Sequence, residues 1–243
     1  MPQHANVQWT SKEVDFGDEI TGLFERHVGK PTYMNAPFLF ARRQNVTESL
    51  AFYELYKKII DRHGAIVECG VYQGNNFVLL NQLAAMFEPF NLTREIIGFD
   101  SFEGFTAIAA QDPTGVKASD FADTSYEMLQ NLIAAHDKNR PVGHVKRATL
   151  VKGNACETIP QFVEANPHLL IALLILDFDL YAPTKAALEH LLPLVVKGGV
   201  VAFDELAMAK WKGETIAFKE FLRCNDVKLE RFPFHHSLSY FVM

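Results

Sequence analysis

IALLILDFDLY, residues 171–181, sets six apolar side chains, Ile171 to Leu176, directly before two carboxylates, Asp177 and Asp179. A short apolar run bounded by polar residues predicts a strand buried on both faces of a parallel sheet. A charge inside such a strand is costly, so both acids belong at its carboxyl end, the edge where open α/β sheets bind ligands. The next such stretch outward is GVVAF, residues 199–203, which runs into Asp204 and Glu205. Between the two lies PTKAALEHLLPLVVKGG, residues 183–199. It predicts a helix opened by Pro183 near its first turn and closed by Gly198 and Gly199. The two strands of such a unit end on the same edge, so Asp177, Asp179, Asp204 and Glu205 are expected to converge. Four crowded carboxylates repel one another. A divalent cation with all-oxygen ligands (Mg²⁺, Mn²⁺ or Ca²⁺) is the simplest neutraliser. The alternative is a surface group balanced by helix dipoles and lysines.

The 243 residues suffice for one large α/β domain with a real core. With 49% hydrophobic and 12% aromatic residues the chain is globular. Its net charge of −6 argues against a nucleic-acid binder held by phosphate contacts. No apolar run approaches the ~18 residues of a membrane span. The first residues, MPQHANVQWTSKEV, lack the basic start and apolar core of a signal peptide. Cys69, Cys156 and Cys224 form no C-x-x-C pair. They suit a reducing cytoplasm as inert packing residues.

Residues 1–45, with Pro2, Pro31 and Pro37 and the aromatic segment PTYMNAPFLFARR, read as an irregular arm. It is a surface arm, a flap over the site or a dimer contact; the pattern does not choose. Leu50, Tyr53, Leu55, Tyr56, Ile59 and Ile60 predict an amphipathic helix from Val46 to His63, capped by Thr47 or Asn45. AIVECG, 65–70, then VYQGN, 71–75, predict a strand, a glycine turn and a helix from Asn75 to Phe87. The E-x-G-x-x-x-G spacing of Glu68, Gly70 and Gly74 is not the G-x-G-x-x-G of dinucleotide binders. An acid at this turn repels phosphate and suits a cationic amine. A second strand, Ile96–Phe99, ends in Asp100, where an acid can accept hydrogen bonds from ribose hydroxyls. A nucleoside carrying an amine fits both places, and S-adenosylmethionine is such a molecule.

SFEGFTAIAAQDPTGVKASDFADT, 101–124, has no sustained period and reads as a lid. Asp123, Thr124 and Ser125 cap a predicted helix, Tyr126–His136. A third strand, Ala148–Lys152, ends in Gly153 and Asn154, whose amide can reach an adenine edge. Helices over Glu157–Glu164 and Glu214–Arg223 follow, then two closing strands, Lys228–Phe232 and Leu238–Met243, as an antiparallel pair. His144, His190, His235 and His236 form no ligand spacing. Lys210 and Trp211 are candidates for the wall of an acceptor site.

ECGVYQG (68–74), GFDSFEGF (98–105), FADTS (121–125), KGNACETIP (152–160), LDFDLYAPT (176–184) and GGVVAFDE (198–205) together resemble the macrocin-type O-methyltransferases. The resemblance runs from Pro31 to Leu222. It implies an α/β, Rossmann-like class I methyltransferase fold, with a mostly parallel seven-stranded sheet, order 3-2-1-4-5-7-6, and an antiparallel last strand. The arm would be 1–45 and the methyltransferase domain 46–243. It implies S-adenosylmethionine as cofactor, bound through Glu68, Gly70, Val71, Gly74, Asp100, Ser101, Gly153, Asn154 and Asp177. It implies Mg²⁺ or another divalent cation on Asp177, Asp204 and Glu205, with Asp179 as general base. The family often has Asp-Asp where Asp204-Glu205 stands, Asp-Gly-Asp at 177–179, and Asp at Asn154. The implied acceptor is a small molecule bearing a hydroxyl, a sugar or glycosylated natural product, handled by a cytoplasmic homo-oligomer, dimer or larger. Rival readings are a metal-dependent methyltransferase of a catechol-like phenol, an NAD(P)-dependent dehydrogenase and a catalytically inactive nucleoside-binding module.

Overall fold

In the computed structural model, which describes residues 11–27 and 36–243, the decisive stretch forms β4 (Ile171–Leu176), buried along its whole length. β4 lies at the middle of a seven-stranded sheet of order β3-β2-β1-β4-β5-β7-β6. The other strands are β1 (Ala65–Cys69), β2 (Ile96–Asp100), β3 (Ala148–Lys152), β5 (Val195–Phe203), β6 (Glu230–Arg231) and β7 (Ser239–Val242). β1 to β5 pair in parallel, and β7 runs antiparallel to β5 and β6. This is the expected topology.

Alternate strand residues feed two cores. Ile66, Ile96, Leu173, Ile175, Val200 and Ala202 pack under α2 (Arg43–Ile59), α3 (Asn75–Phe87) and α4 (Tyr126–Asp137). Val67, Ile97, Phe99, Leu174, Leu176, Val201 and Phe203 pack under α5 (Ala155–Ala165), α6 (Tyr181–His190) and α7 (Lys212–Phe221). Three helices on each face explain why the central strands read as unbroken apolar runs.

The helix expected to fill 183–199 is shorter. α6 stops at His190, a 3₁₀ turn spans Leu192–Leu194, and β5 begins at Val195. Pro193 cannot donate into a helix, and Val195 and Val196 are β-branched. Gly198 and Gly199 lie inside β5, at a register shift against β4, so they mark a bulge rather than a helix stop.

The chain divides into two compact units at Leu50 and Ala51. The first holds a helix, α1 (Ser11–His27), where an irregular arm was expected. Within its charged sequence Phe16, Ile20, Leu23 and Phe24 recur at helical spacing, so the helix is legible there despite Gly17 and Gly22. Within this unit Phe24 and Phe40 meet edge to face at 5.4 Å. Pro2, Pro31 and most of the aromatic segment fall outside the described residues. α2 starts at Arg43, not Val46, so Asn45 and Thr47 are inside it, with Thr47 Oγ1 donating back to the Gln44 carbonyl at 2.8 Å. Among the described residues no helix is long and apolar enough to cross a membrane.

At the amino ends of the strands a polar knot closes the sheet. Arg94, 1% exposed, donates to Glu88 Oε2 at 2.8 Å and Oε1 at 3.1 Å. It also donates to the carbonyls of Ile59 at 3.0 Å, Arg62 at 2.7 Å and Gly64. Glu88 further accepts from Tyr56 Oη and from Asn91 Nδ2.

Candidate active site

The strands end flush at the opposite edge. Cys69 pairs with Leu176 and Leu176 with Phe203. The Asp177 N–H therefore donates to the Cys69 carbonyl at 2.8 Å, and the Asp204 N–H to the Leu176 carbonyl at 3.1 Å. This registry brings Asp177, Asp179 and Glu205 together, with one oxygen of each within 4.8 Å of the others. Asp204 is next to this trio but outside it, and its Oδ1 accepts from Ser237 Oγ at 2.9 Å. Ser237 belongs to a turn built on His235, whose buried Nδ1 accepts the N–H groups of Ser237 and Leu238.

Asp179 has φ 62°, the left-handed region, which aspartate tolerates better than most residues. Burial pushes its carboxyl up to about 7; a hydrogen bond with Glu205 pulls it down, Asp204 pushes it up and Lys210 pulls it down. Glu205 is raised well above the carboxylate range by burial, then by Asp179, Asp204, Asp177 and Glu214. Glu214 is wholly buried; its Oε1 accepts the Glu205 N–H at 3.0 Å. Among the described residues, neither Glu205 Oε2 nor Glu214 Oε2 has a hydrogen-bond partner. Burial, then Asp204, raise Glu214 as well. Such a group can take up a proton near neutrality, and it presents all-oxygen donors to a hard cation.

The glycine turn follows β1. Glu68 sits within that strand, 2% exposed, rather than in the turn. Gly70 has φ 98°, and a Cβ there would lie 1.9 Å from the Asp177 carbonyl oxygen, so the turn and the acidic loop pack backbone to backbone. Asp100 closes the turn: Oδ2 accepts the N–H groups of Val71 and Tyr72, both at 2.8 Å, and Oδ1 accepts that of Phe102 at 2.6 Å. Oδ1 keeps an acceptor position for a further donor. Gly74 is the N-cap of α3. Ser101 Oγ donates to the Gly104 carbonyl. Gly153 donates its N–H to the Asp100 carbonyl at 2.9 Å. Asn154 caps α5 through the Cys156 N–H at 3.1 Å, and its Nδ2 donates to Glu157 at 3.0 Å.

A family profile for macrocin O-methyltransferase, TylF, matches residues 41–232. The chain belongs to the macrocin O-methyltransferase (TylF) family. It is an S-adenosylmethionine-dependent O-methyltransferase. The crystal structure of CalS11, calicheamicin methyltransferase, matches at 35% identity and TM-score 0.92, covering 100% of this chain and 96% of that one. The apo structure of CalS11, TDP-rhamnose 3'-O-methyltransferase, matches at 33% identity and TM-score 0.85, covering 100% and 99%. The O-methyltransferase NovP matches at 20% identity and TM-score 0.62 over 79% and 78%, a likeness of fold. No functionally curated protein matches the chain by sequence.

In this methyltransferase the segment 101–124 crosses the edge and is tied at several points. Asp123 accepts from Tyr72 Oη at 2.7 Å and from Gln73, and Thr124 Oγ1 donates to the Tyr72 carbonyl. Phe121 meets Tyr72 edge to face at 5.4 Å and Phe105 at 5.3 Å, and Phe105 reaches Trp211 at 6.2 Å. Trp211 is buried, with the Lys210 ammonium 5.3 Å from its ring centre. Three acids or rings here escaped the sequence reading as site residues: Asp112, Phe121 and Glu214. The last follows Gly213 at a helix start, where an acid reads as ordinary first-turn charge. The thiols are free; Cys69 is buried and raised in pKa by burial, whereas Cys224 is exposed and is not a packing residue.

Proposed function

We propose that the chain methylates a hydroxyl of a sugar or glycosylated natural product, with nucleotide-linked sugars of the TDP-rhamnose type as the first acceptor class. The observation that carries this is the full-length similarity, at 33–35% identity, to a TDP-rhamnose 3'-O-methyltransferase. S-adenosylmethionine supplies the electrophilic methyl group. Glu68, Gly70, Val71, Gly74, Asp100, Ser101, Gly153, Asn154 and Asp177 form its site. Segment 101–124 is the lid.

A sugar hydroxyl is a poor nucleophile because it holds its proton far above neutral pH. Asp179 is the general base: it sits at the strand edge with a carboxyl raised to about 7, so its proton affinity is matched to the task. Its Glu205 neighbour restrains it. The donor set fits a divalent cation, since the oxygens are close and Glu205 Oε2 is buried without a hydrogen bond. Asp177 and Glu205, two of the three gathered acids, would hold it, with Asp204 beside them at the margin, and it would supply the positive charge that offsets the acids and acidifies a hydroxyl. The protein's remaining contribution is placement of acceptor and methyl donor in line.

Calorimetric titration with S-adenosylmethionine, with and without Mg²⁺, followed by assay of S-adenosylhomocysteine release with TDP-rhamnose, tests the proposal. Micromolar cofactor binding and Mg²⁺-dependent turnover are expected. Turnover of a catechol but of no nucleotide sugar would move the acceptor to phenols. Full activity in chelator would remove the cation.

A further inference from the structure

Helix α6 begins two residues after Asp179 and has no cap of its own. Leu180 occupies the N-cap position and offers no side-chain acceptor. A helix start leaves N–H groups unsatisfied. The acceptor comes instead from Asp112, 69 residues earlier and in the middle of the lid, whose Oδ1 takes the Tyr181 N–H at 2.7 Å. Its Oδ2 takes the Ala109 N–H at 2.7 Å, and its own N–H returns to the Ala109 carbonyl at 3.1 Å. The aspartate is 6% exposed. Gly213, at the start of α7, closes the contact from a third side. A Cβ there would lie 2.5 Å from Asp112 Oδ1 and 2.7 Å from the Tyr181 nitrogen.

Asp179 thus stands between two anchors. Upstream, the Asp177 N–H is held by β1. Downstream, the Tyr181 N–H is held by the lid. Its left-handed backbone at φ 62° is thus held from both flanks.

We propose that Asp112 is a positioning residue for Asp179, capping helix α6 from the lid so that the base reaches its working geometry only while the middle of the lid is seated. The inference rests on Asp179 as the base. It gives a reason for a buried acid in a surface loop, and it couples acceptor enclosure to proton transfer. A misplacement of about 1 Å at a reacting group costs on the order of 100-fold in rate.

The test uses Asp112→Ala, Asp112→Asn and Gly213→Ala, with Asp179→Asn as reference. Three readouts apply: kcat and KM on the acceptor, S-adenosylmethionine affinity by calorimetry, and amide exchange of the segment around Tyr181. Asp112→Ala is expected to lower kcat by about 10- to 100-fold, to leave cofactor affinity unchanged and to speed exchange at Tyr181. Asp112→Asn keeps an acceptor for Tyr181 but not a second for Ala109, and is expected to recover most of kcat. Gly213→Ala crowds both Asp112 Oδ1 and the Tyr181 nitrogen, breaking the contact while leaving the carboxyl in place, and is expected to reproduce the kcat loss, with no further loss in the double variant. If Asp112→Ala does not fold, the other two variants decide. Unchanged kcat in Gly213→Ala despite faster Tyr181 exchange overturns the positioning role. Turnover retained by Asp179→Asn overturns the base instead, and the two failures are distinguishable.

Discussion

The two edges of the sheet both bury carboxylates, and they treat them in opposite ways. At the amino edge Glu88 is held by Arg94 through two hydrogen bonds, with Tyr56 and Asn91 on the same oxygens. Burial pushes its carboxyl up, but Arg94, Tyr56 and Asn91 outweigh that and hold it below the usual range. At the carboxyl edge Glu205 and Glu214 each keep an oxygen with no hydrogen bond among the described residues, and both carboxyls are pushed up by burial and by their neighbours. One edge is arranged for stability. The other gathers carboxyls whose ionisation is opposed by burial and by one another, a pattern typical of functional sites.

The largest expected contrast comes from removing one partner at each edge. Arg94→Ala leaves the buried Glu88 carboxylate without its counter-charge and strips the carbonyls of Ile59, Arg62 and Gly64 of a donor, so a loss of about 3–5 kcal/mol in urea unfolding is expected. A loss within error would mean the amino edge is no more than a surface pair, and the contrast would fail. Next in size, Glu214→Gln removes a buried carboxyl whose ionisation its surroundings oppose, and keeps an acceptor for the Glu205 N–H. In metal-free protein it is expected to raise stability by about 1 kcal/mol. A fall in melting temperature would show that the carboxylate is already compensated.

The smallest effect is in pH dependence, where the edges have opposite signs. Glu88 has a lowered folded pKa, so its stabilisation is full above the ordinary carboxylate range and is lost as pH falls through that range. Glu205 and Glu214 have raised folded pKa values, so their strain is present above those values and is relieved as pH falls toward the ordinary range. Stability of the metal-free protein should therefore rise on acidification from alkaline pH and then fall. Urea midpoints across pH would check this, and added Mg²⁺ should flatten the alkaline limb. A monotonic profile would contradict the assignment.

β4 is legible in the sequence to the residue because a strand covered on both faces leaves an unbroken apolar run, whereas β3, a half-buried edge strand, is legible only as a short β-branched and apolar segment before a glycine turn. Gly198 and Gly199 mislead because a bulge and a helix stop use the same residues. The acids Asp177, Asp179, Asp204 and Glu205 are legible as a group from strand polarity alone. What strand polarity does not contain is which side chains converge, and the structure gathers Asp179 with Asp177 and Glu205 while Ser237 holds Asp204. Asp112 is illegible for a different reason. Its partner is a backbone N–H 69 residues away, and a backbone donor leaves no mark in a sequence.

β7 is threaded between β5 and β6 yet follows both along the chain. During synthesis β5 therefore leaves the ribosome with one flank bare, and Val200 to Phe203 wait for Ser239 to Val242. β6, only two residues long, reaches the sheet solely through β7. Until that pairing forms, β5 presents an unpaired strand edge, the feature that invites pairing with another chain.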